Sequence, residues 1–152
     1  MINGLFEAHL NVRSLDDSVK FYENTLGLLK CRYEKERRAA FFWIGRPRQA
    51  MLGLWETKEA FRPGHFAFTS DPGMILRDSR SFFEQRKIEW YNFLGTKNGP
   101  PLVFSWMPAL SIYFKDPDNN ELELLGVLPH DPQPDLGIVT YEDWMSLNAK
   151  RS

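Results

Sequence analysis

Lys115-Asp116-Pro117-Asp118-Asn119-Asn120-Glu121-Leu122-Glu123-Leu124-Leu125 is the stretch that decides the fold. Asp-Pro-Asp-Asn-Asn supplies residues that favour tight turns. Glu-Leu-Glu-Leu-Leu then alternates charged and apolar residues with period two, the signature of a half-buried strand. Residues 109–115, before the turn, alternate as well: Leu110, Ile112 and Phe114 share one face, Ser111 and Tyr113 the other. Glutamate is rarely buried without a partner. Taken alone, the stretch is a hairpin whose Glu121 and Glu123 face water, and the rest of the chain decides whether Glu123 has a partner.

Working back from this hairpin, residues 95–108 form a long Gly- and Pro-containing loop and residues 89–94 a strand. Ser70-Asp71-Pro72 caps a helix that runs to about Arg86, with Ile75, Leu76, Phe82 and Phe83 as its apolar set. Residues 65–69, His-Phe-Ala-Phe-Thr, alternate as a strand. The order is β-α-β-β-β. The same order precedes it. Residues 5–12 form a strand, and a helix capped by Ser14 follows to about Leu26, with Leu15, Val19, Tyr22 and Leu26 on one stripe and Gly27 ending it. Strands at about 30–36, 38–44 and 49–56 complete the first module.

Three segments match in order: His9-Leu-Asn-Val with His65-Phe-Ala-Phe, Phe21-Tyr-Glu with Phe82-Phe-Glu, and Leu52-Gly-Leu-Trp with Leu122-Glu-Leu-Leu. The chain therefore contains an internal repeat, with modules at about 4–57 and 65–128. The expected fold is α+β, two βαβββ modules in residues 1–128. Residues 129–152 add a Pro-rich connector and a short helix opened by Thr140-Tyr-Glu-Asp, with Tyr141, Trp144 and Met145 packed on the body.

Bulk properties exclude several classes. With 152 residues, 43% hydrophobic and 14% aromatic, the chain has ample core for a domain. Its 19 basic against 20 acidic residues argue against a nucleic-acid surface. No apolar run approaches the roughly 18 residues of a membrane span, and no secretory signal is visible. The single Cys31 fits a reducing, cytoplasmic setting and reads as a small strand residue.

Strand parity selects the candidate site. His9, His65 and Glu123 all lie opposite the apolar face of their strands, as do Ser111 and Tyr113. Helices can cover only one side of such a sheet, so this side is solvent or the lining of a polar cavity. Of the three histidines, two start matched strands, whereas His130 in the Pro-rich segment reads as a surface residue. Two imidazoles and a carboxylate are a ligand set for zinc and other divalent metals. The position matched to Glu123 in the first module is Gly53, which leaves three protein ligands and an open position. Glu56 reads as a strand-end residue and Glu121 as solvent-facing. Trp55, Trp106 and Tyr91 are candidate apolar walls.

At these residues the chain resembles the vicinal oxygen chelate superfamily, which includes glyoxalase I, fosfomycin-resistance thiol transferases, bleomycin-resistance proteins and extradiol dioxygenases. The resemblance rests on residues 9–28, His65-Phe-Ala-Phe, and Tyr113-Phe-Lys-Asp-Pro-Asp-Asn-Asn-Glu-Leu-Glu-Leu. It implies two βαβββ modules curled into a half-open, mixed-sheet barrel around one divalent ion (Zn, Ni, Mn or Fe), with His9, His65 and Glu123 as metal ligands. It also implies Glu123 and Tyr113 as catalytic residues and Asn11, Arg13 and Ser111 as substrate-binding residues, which the candidate walls Trp55 and Trp106 join. The implied activity is that of a glyoxalase-like enzyme on a small oxygen-chelating substrate, the metal acting as Lewis acid, and a homodimer is expected by analogy. The second metal carboxylate common in glyoxalase I is missing at Gly53. The phosphonate-binding arginine of the fosfomycin enzymes would fall at Pro132, and of the acid–base His and Tyr of the dioxygenases only Tyr113 is visible. The alternatives are thiol transfer, ring cleavage, and non-catalytic binding in the same cavity.

Overall fold

Each half of the chain builds its own mixed sheet around one parallel strand pair. A computed structural model describes residues 1–149. The described residues divide into two units: Met1–Gly64 together with Asp116–Asn120, and His65–Lys115 together with residues 121–149.

In the first unit, β1 (Glu7–Val12) leads to α1 (Leu15–Lys20), which continues as a wider π turn over Phe21–Thr25. Ser14 caps α1 by accepting from the Asp17 amide. Gly27, with φ +78°, lets the chain leave the helix. Strands β2 (Leu29–Glu34), β3 (Ala39–Ile44) and β4 (Ala50–Glu56) follow, and the sheet order is β1-β4-β3-β2 with β1 parallel to β4. Leu10, Val12, Leu15, Val19, Tyr22, Ala40, Phe42, Leu52 and Leu54 form the core, with alternate strand residues turned to the helix.

The Asp116–Asn120 turn completes this unit. Asp116 Oδ1 accepts from the amides of Asp118 and Asn120, and Oδ2 accepts from the Tyr22 hydroxyl at 2.9 Å and the Asn120 side-chain amide at 2.8 Å. Asn120 also donates to the Asn11 carbonyl and accepts from the Gly64 amide. Asp118 accepts from the Arg13 amide and the Ser18 hydroxyl. The turn is thus a hydrogen-bonded hub, and Asn119 takes the left-handed conformation its tight bend needs, φ +64°.

In the second unit, β5 (His65–Thr69) and α2 (Pro72–Arg86, capped by Asp71) precede a two-residue β6 (Trp90–Tyr91), β7 (Leu102–Phe104), β8 (Ala109–Lys115) and β9 (Glu121–Val127). Beyond β9 a single 3-10 turn leads to β10 (Ile138–Thr140) and α3 (Tyr141–Ala149). The sheet order is β10-β7-β8-β9-β5, with β6 also on β8 and β5 parallel to β9. Parallel β5/β9 repeats parallel β1/β4, so the βαβββ repeat is present in the sheet order as well as in the sequence. Neither sheet closes on itself, and the fold is α+β.

Several expectations change. The strand foreseen at 89–94 shrinks to β6, and the loop foreseen at 95–108 contains β7. A three-residue strand behind Pro100-Pro101 is too short to show periodicity. Residues 129–149 do more than pack: β10 extends the second sheet by pairing with β7. Leu76 and Met145 are exposed, and Trp144 alone of the last helix's apolar trio is buried. His130 has a structural role, since its Nδ1 accepts from Trp144 Nε1 at 3.0 Å. Among the described residues no helix is long and apolar enough to cross a membrane.

Candidate functional site

The polar face of the second sheet gathers titratable groups. Tyr113 on β8 lies opposite Glu123 on β9 and also opposite Tyr91 on β6. On the other side of β9, β5 places His65 opposite Glu121 and Ala67 opposite Glu123. Leu122 and Leu124 point the other way, to the helix side, so period-two alternation alone sends Glu121 and Glu123 to one face. Glu123 is 3% exposed. Its Oε2 lies 3.0 Å from His65 Nε2, and its Oε1 is buried without a hydrogen-bond partner. Glu121 Oε2 lies 3.8 Å from His65 Nδ1, and Glu121 Oε1 accepts from the Tyr91 hydroxyl at 2.8 Å.

His65, Tyr91, Phe93, Tyr113 and Glu121 line a cleft of about 170 Å³. Tyr91 and Tyr113 stack with centroids 5.9 Å apart, and His65 meets Tyr113 edge-on at 6.0 Å. Burial, with the Glu123 carboxylate adding to it, pushes the Tyr113 hydroxyl well above the ordinary phenol range. Burial and then Glu121 do the same to Tyr91. Both phenols are therefore proton donors at neutral pH. Ser111 Oγ is buried and makes no hydrogen bond of normal geometry, although it is close enough to lower the Tyr113 pKa.

The corresponding face of the first sheet carries His9. Its Nε2 pairs with Glu7 at 2.9 Å, and its ring packs against Trp55 at 5.7 Å and Phe41 at 6.2 Å. His9 lies opposite Gly53 in the parallel pair. A Cβ on Gly53 would stand 2.6 Å from His9 Cδ2 and 3.0 Å from Nε2. The space that the missing side chain leaves therefore holds the imidazole. Trp55 Nε1 is buried without a partner, and the Arg37 guanidinium lies over its ring at 4.9 Å. Asn11 is exposed on the same face.

Against known proteins, no family profile matches the sequence and no curated protein matches it. Solved structures do. An integron cassette protein from the mobile metagenome of the Halifax Harbour sewage outfall is 31% identical, with a TM-score of 0.71 over 83% of this chain and 100% of that one. A lactoylglutathione lyase from Agrobacterium tumefaciens is 21% identical, with a TM-score of 0.64 over 82% of this chain and 94% of its own. A fosfomycin resistance protein from Mesorhizobium loti is also 21% identical, with a TM-score of 0.56 over 85% and 96%.

The chain shares the fold of these proteins, which is the fold that the resemblance to the vicinal oxygen chelate superfamily implies. Of the ligand set that resemblance to this superfamily implies, His65 and Glu123 are in contact, and His9 has Glu7 as its partner. Among the described residues no group of three His, Cys, Asp or Glu side chains is gathered that could hold a metal ion. The donor pair nevertheless fits a divalent cation. A buried carboxylate oxygen with no partner, beside an imidazole nitrogen, is an arrangement that a cation completes.

The register also moves the repeat. His9 pairs with Gly53, whereas His65 pairs with Glu121, two positions before Glu123. If the two histidines are equivalent, Gly53 matches Glu121. Gly53 and Glu123 are equivalent only if Ala67 takes the place of His9.

Arg13 holds the connector instead of an open pocket. Its Nη1 donates to the carbonyls of Lys58 and Glu59, and its guanidinium lies 4.6 Å from the Phe61 ring centroid. Trp106 is exposed in the turn between β7 and β8, outside the cleft lining. Glu56 accepts from Arg38 and from the Leu15 amide, which makes it an anchor for α1. Two cleft residues escaped the sequence reading, Glu121 and Phe93. The signal for Glu121 was available, since it has the same parity as Glu123. Phe93 sits past the end of a two-residue strand, where no periodicity marks it.

Proposed function

We propose that this chain is a divalent-metal-dependent, glyoxalase-like enzyme of the lyase or isomerase kind, acting in the cytoplasm on a small oxygen-chelating substrate. The observation that carries this reading is Glu123, buried with Oε2 on His65 and Oε1 on nothing. An unpaired buried carboxylate oxygen is costly to keep, so it points to a ligand. His65 and Glu123 would hold the ion, with His9 as the third ligand that the superfamily resemblance implies. Bound there, a divalent ion supplies Lewis acidity toward a substrate oxygen.

The chain's own residues do the rest. Tyr113, kept protonated by burial, donates a hydrogen bond to an oxygen that gains charge. Ser111, buried on the same strand with its Oγ unpartnered, would orient the substrate with it. Tyr91 and Phe93 provide apolar walls that limit water around the reacting group. With the ion on one Glu123 oxygen, the other can take a proton from the substrate carbon next to the oxygen that gains charge. A homodimer is part of the same reading.

Metal analysis of anaerobically purified protein tests it. Near-stoichiometric divalent metal is expected. Free metal at about 100 times its dissociation constant should stabilise the fold by about 2.7 kcal/mol, and His65→Ala or Glu123→Ala should abolish that gain. Absence of both metal and gain overturns the reading. Iron would direct the assignment to ring cleavage, and zinc, nickel or manganese to isomerase or transferase chemistry.

A further inference from the structure

The polar face of the second sheet carries one carboxylate more beside His65 than the ligand set uses. Glu121 and Glu123 approach opposite edges of one imidazole: Glu123 Oε2 is 3.0 Å from His65 Nε2, and Glu121 Oε2 is 3.8 Å from Nδ1. The two ring nitrogens diverge, so an ion at Nε2 beside Glu123 lies on the far side of the ring from Glu121. Glu121 is therefore misplaced as a ligand and well placed as an orienter. Metal-binding histidines commonly donate their second N–H to a carboxylate, which fixes ring orientation and tautomer.

We infer that Glu121, held by Tyr91, is the positioning residue of His65: it accepts from Nδ1–H and so presents Nε2 beside Glu123. The inference rests on the metal-dependent reading above. Glu121 is itself fixed. Its Oε1 accepts from the Tyr91 hydroxyl at 2.8 Å, and the Tyr91 ring is stacked on Tyr113. The register places Glu121 directly opposite His65, so the backbone of the parallel pair sets the contact. His65 is half exposed, with Nδ1 and the Glu121 carboxylate 3.8 Å apart. The relay runs from Tyr91 through Glu121 to His65, and each link is one strand-to-strand neighbour or one hydrogen bond.

Cobalt(II) titration, followed by visible absorption, tests this on the full chain. The metal-free protein is compared with Glu121→Leu, Glu121→Gln and Tyr91→Phe, after the unfolding midpoint of each metal-free form confirms folding. Glu121→Leu should weaken cobalt binding about 10- to 100-fold and shift the absorption bands. Glu121→Gln keeps an acceptor for Nδ1–H and should recover most of the affinity. Tyr91→Phe should lie between the native protein and Glu121→Leu. If Glu121→Leu binds cobalt as tightly as the native protein, the inference falls and the metal reading stands. Equal weakening by Gln and Leu with unchanged bands also overturns it, because loss of a nearby charge alone would do that. If the native protein binds no cobalt, the metal reading fails and the inference fails with it.

Discussion

Two buried carboxylates seven residues apart in the chain, Asp116 and Glu123, differ in what surrounds them. Asp116 is 5% exposed and Glu123 3%. Asp116 accepts from Tyr22, from both the backbone and side-chain amides of Asn120, and from the Asp118 amide. Glu123 has His65 on one oxygen and nothing on the other. Burial depth alone therefore does not separate architecture from chemistry. A carboxylate with every lone pair directed at a donor holds a turn together. One left half satisfied at the same depth is destabilising unless a ligand completes it, and such groups are uncommon in native proteins.

Substitution should separate the two most widely at Asp116. Asp116→Ala strands the Tyr22 hydroxyl and three N–H groups in the interior of the first unit. At roughly 1–3 kcal/mol for a stranded buried group, with partial relaxation, the loss should be about 3 kcal/mol or more. Urea unfolding would read it as a lower midpoint at an unchanged slope. Glu123→Leu should do the reverse in metal-free protein and leave stability unchanged or raised, since it removes a poorly paired buried charge. Equal destabilisation by the two changes would break the comparison.

Metal then sharpens it. Native protein should gain about 2.7 kcal/mol at a hundredfold excess over the dissociation constant. Glu123→Leu should gain nothing, and Tyr22→Phe, which weakens the turn without touching the cleft, should keep the full gain. A midpoint shift measured with and without added metal in each variant checks all three.

Most of the frame was legible because it is written in two periodicities. Alternation placed β1, β5, β8 and β9 within two residues of their observed bounds, and Ser14 and Asp71 mark helix starts by the amides their side chains accept. Three short elements were not legible. Strands β6, β7 and β10 have two or three residues each, and pairing with β8 or with one another defines them, not pattern. Within the site, parity found Glu123, His65 and Tyr113 but could not give register. The two-residue offset that sets His65 against Glu121 depends on how β5 slides along β9, and no side-chain alternation reports that. Arg13 shows the opposite limit: its type and position suit an anion, and only the connector's carbonyls reveal that its guanidinium is engaged.

A pair of glycines extends the contrast at smaller magnitude. A Cβ on Gly126 would meet the Pro72 backbone at 2.9 Å, and backbone does not yield cheaply. Gly126→Ala should therefore destabilise the second unit by about 1–3 kcal/mol. On Gly53 the Cβ would meet the edge of the His9 ring, a half-exposed side chain that can swing away. Gly53→Ala should cost less than about 1 kcal/mol, because the imidazole can move aside, and equal losses of unfolding midpoint at the two glycines would break the contrast.

The smallest effect concerns a third carboxylate, Glu56, which is fully engaged like Asp116 but closer to solvent. Arg38 donates to both its oxygens and the Leu15 amide donates to one. The Arg38 guanidinium, and after it the Leu15 amide, lower the Glu56 carboxyl from 4.5 to about 2. A carboxyl depressed in the folded state contributes stability that is complete above its ordinary value and is lost as protons bind. That contribution should therefore decline as pH falls from about 4.5 to about 2. Asp116 acts with the opposite sign, because burial pushes its carboxyl up and protonation then favours the folded form. Removing the guanidinium with Arg38→Gln takes away the larger cause of the Glu56 shift and leaves Asp116 untouched. The slope of unfolding midpoint against pH in this window should flatten in Arg38→Gln relative to the native protein. An unchanged slope would mean that the guanidinium does not lower the Glu56 carboxyl and that Arg38 holds this corner by geometry without a charge contribution.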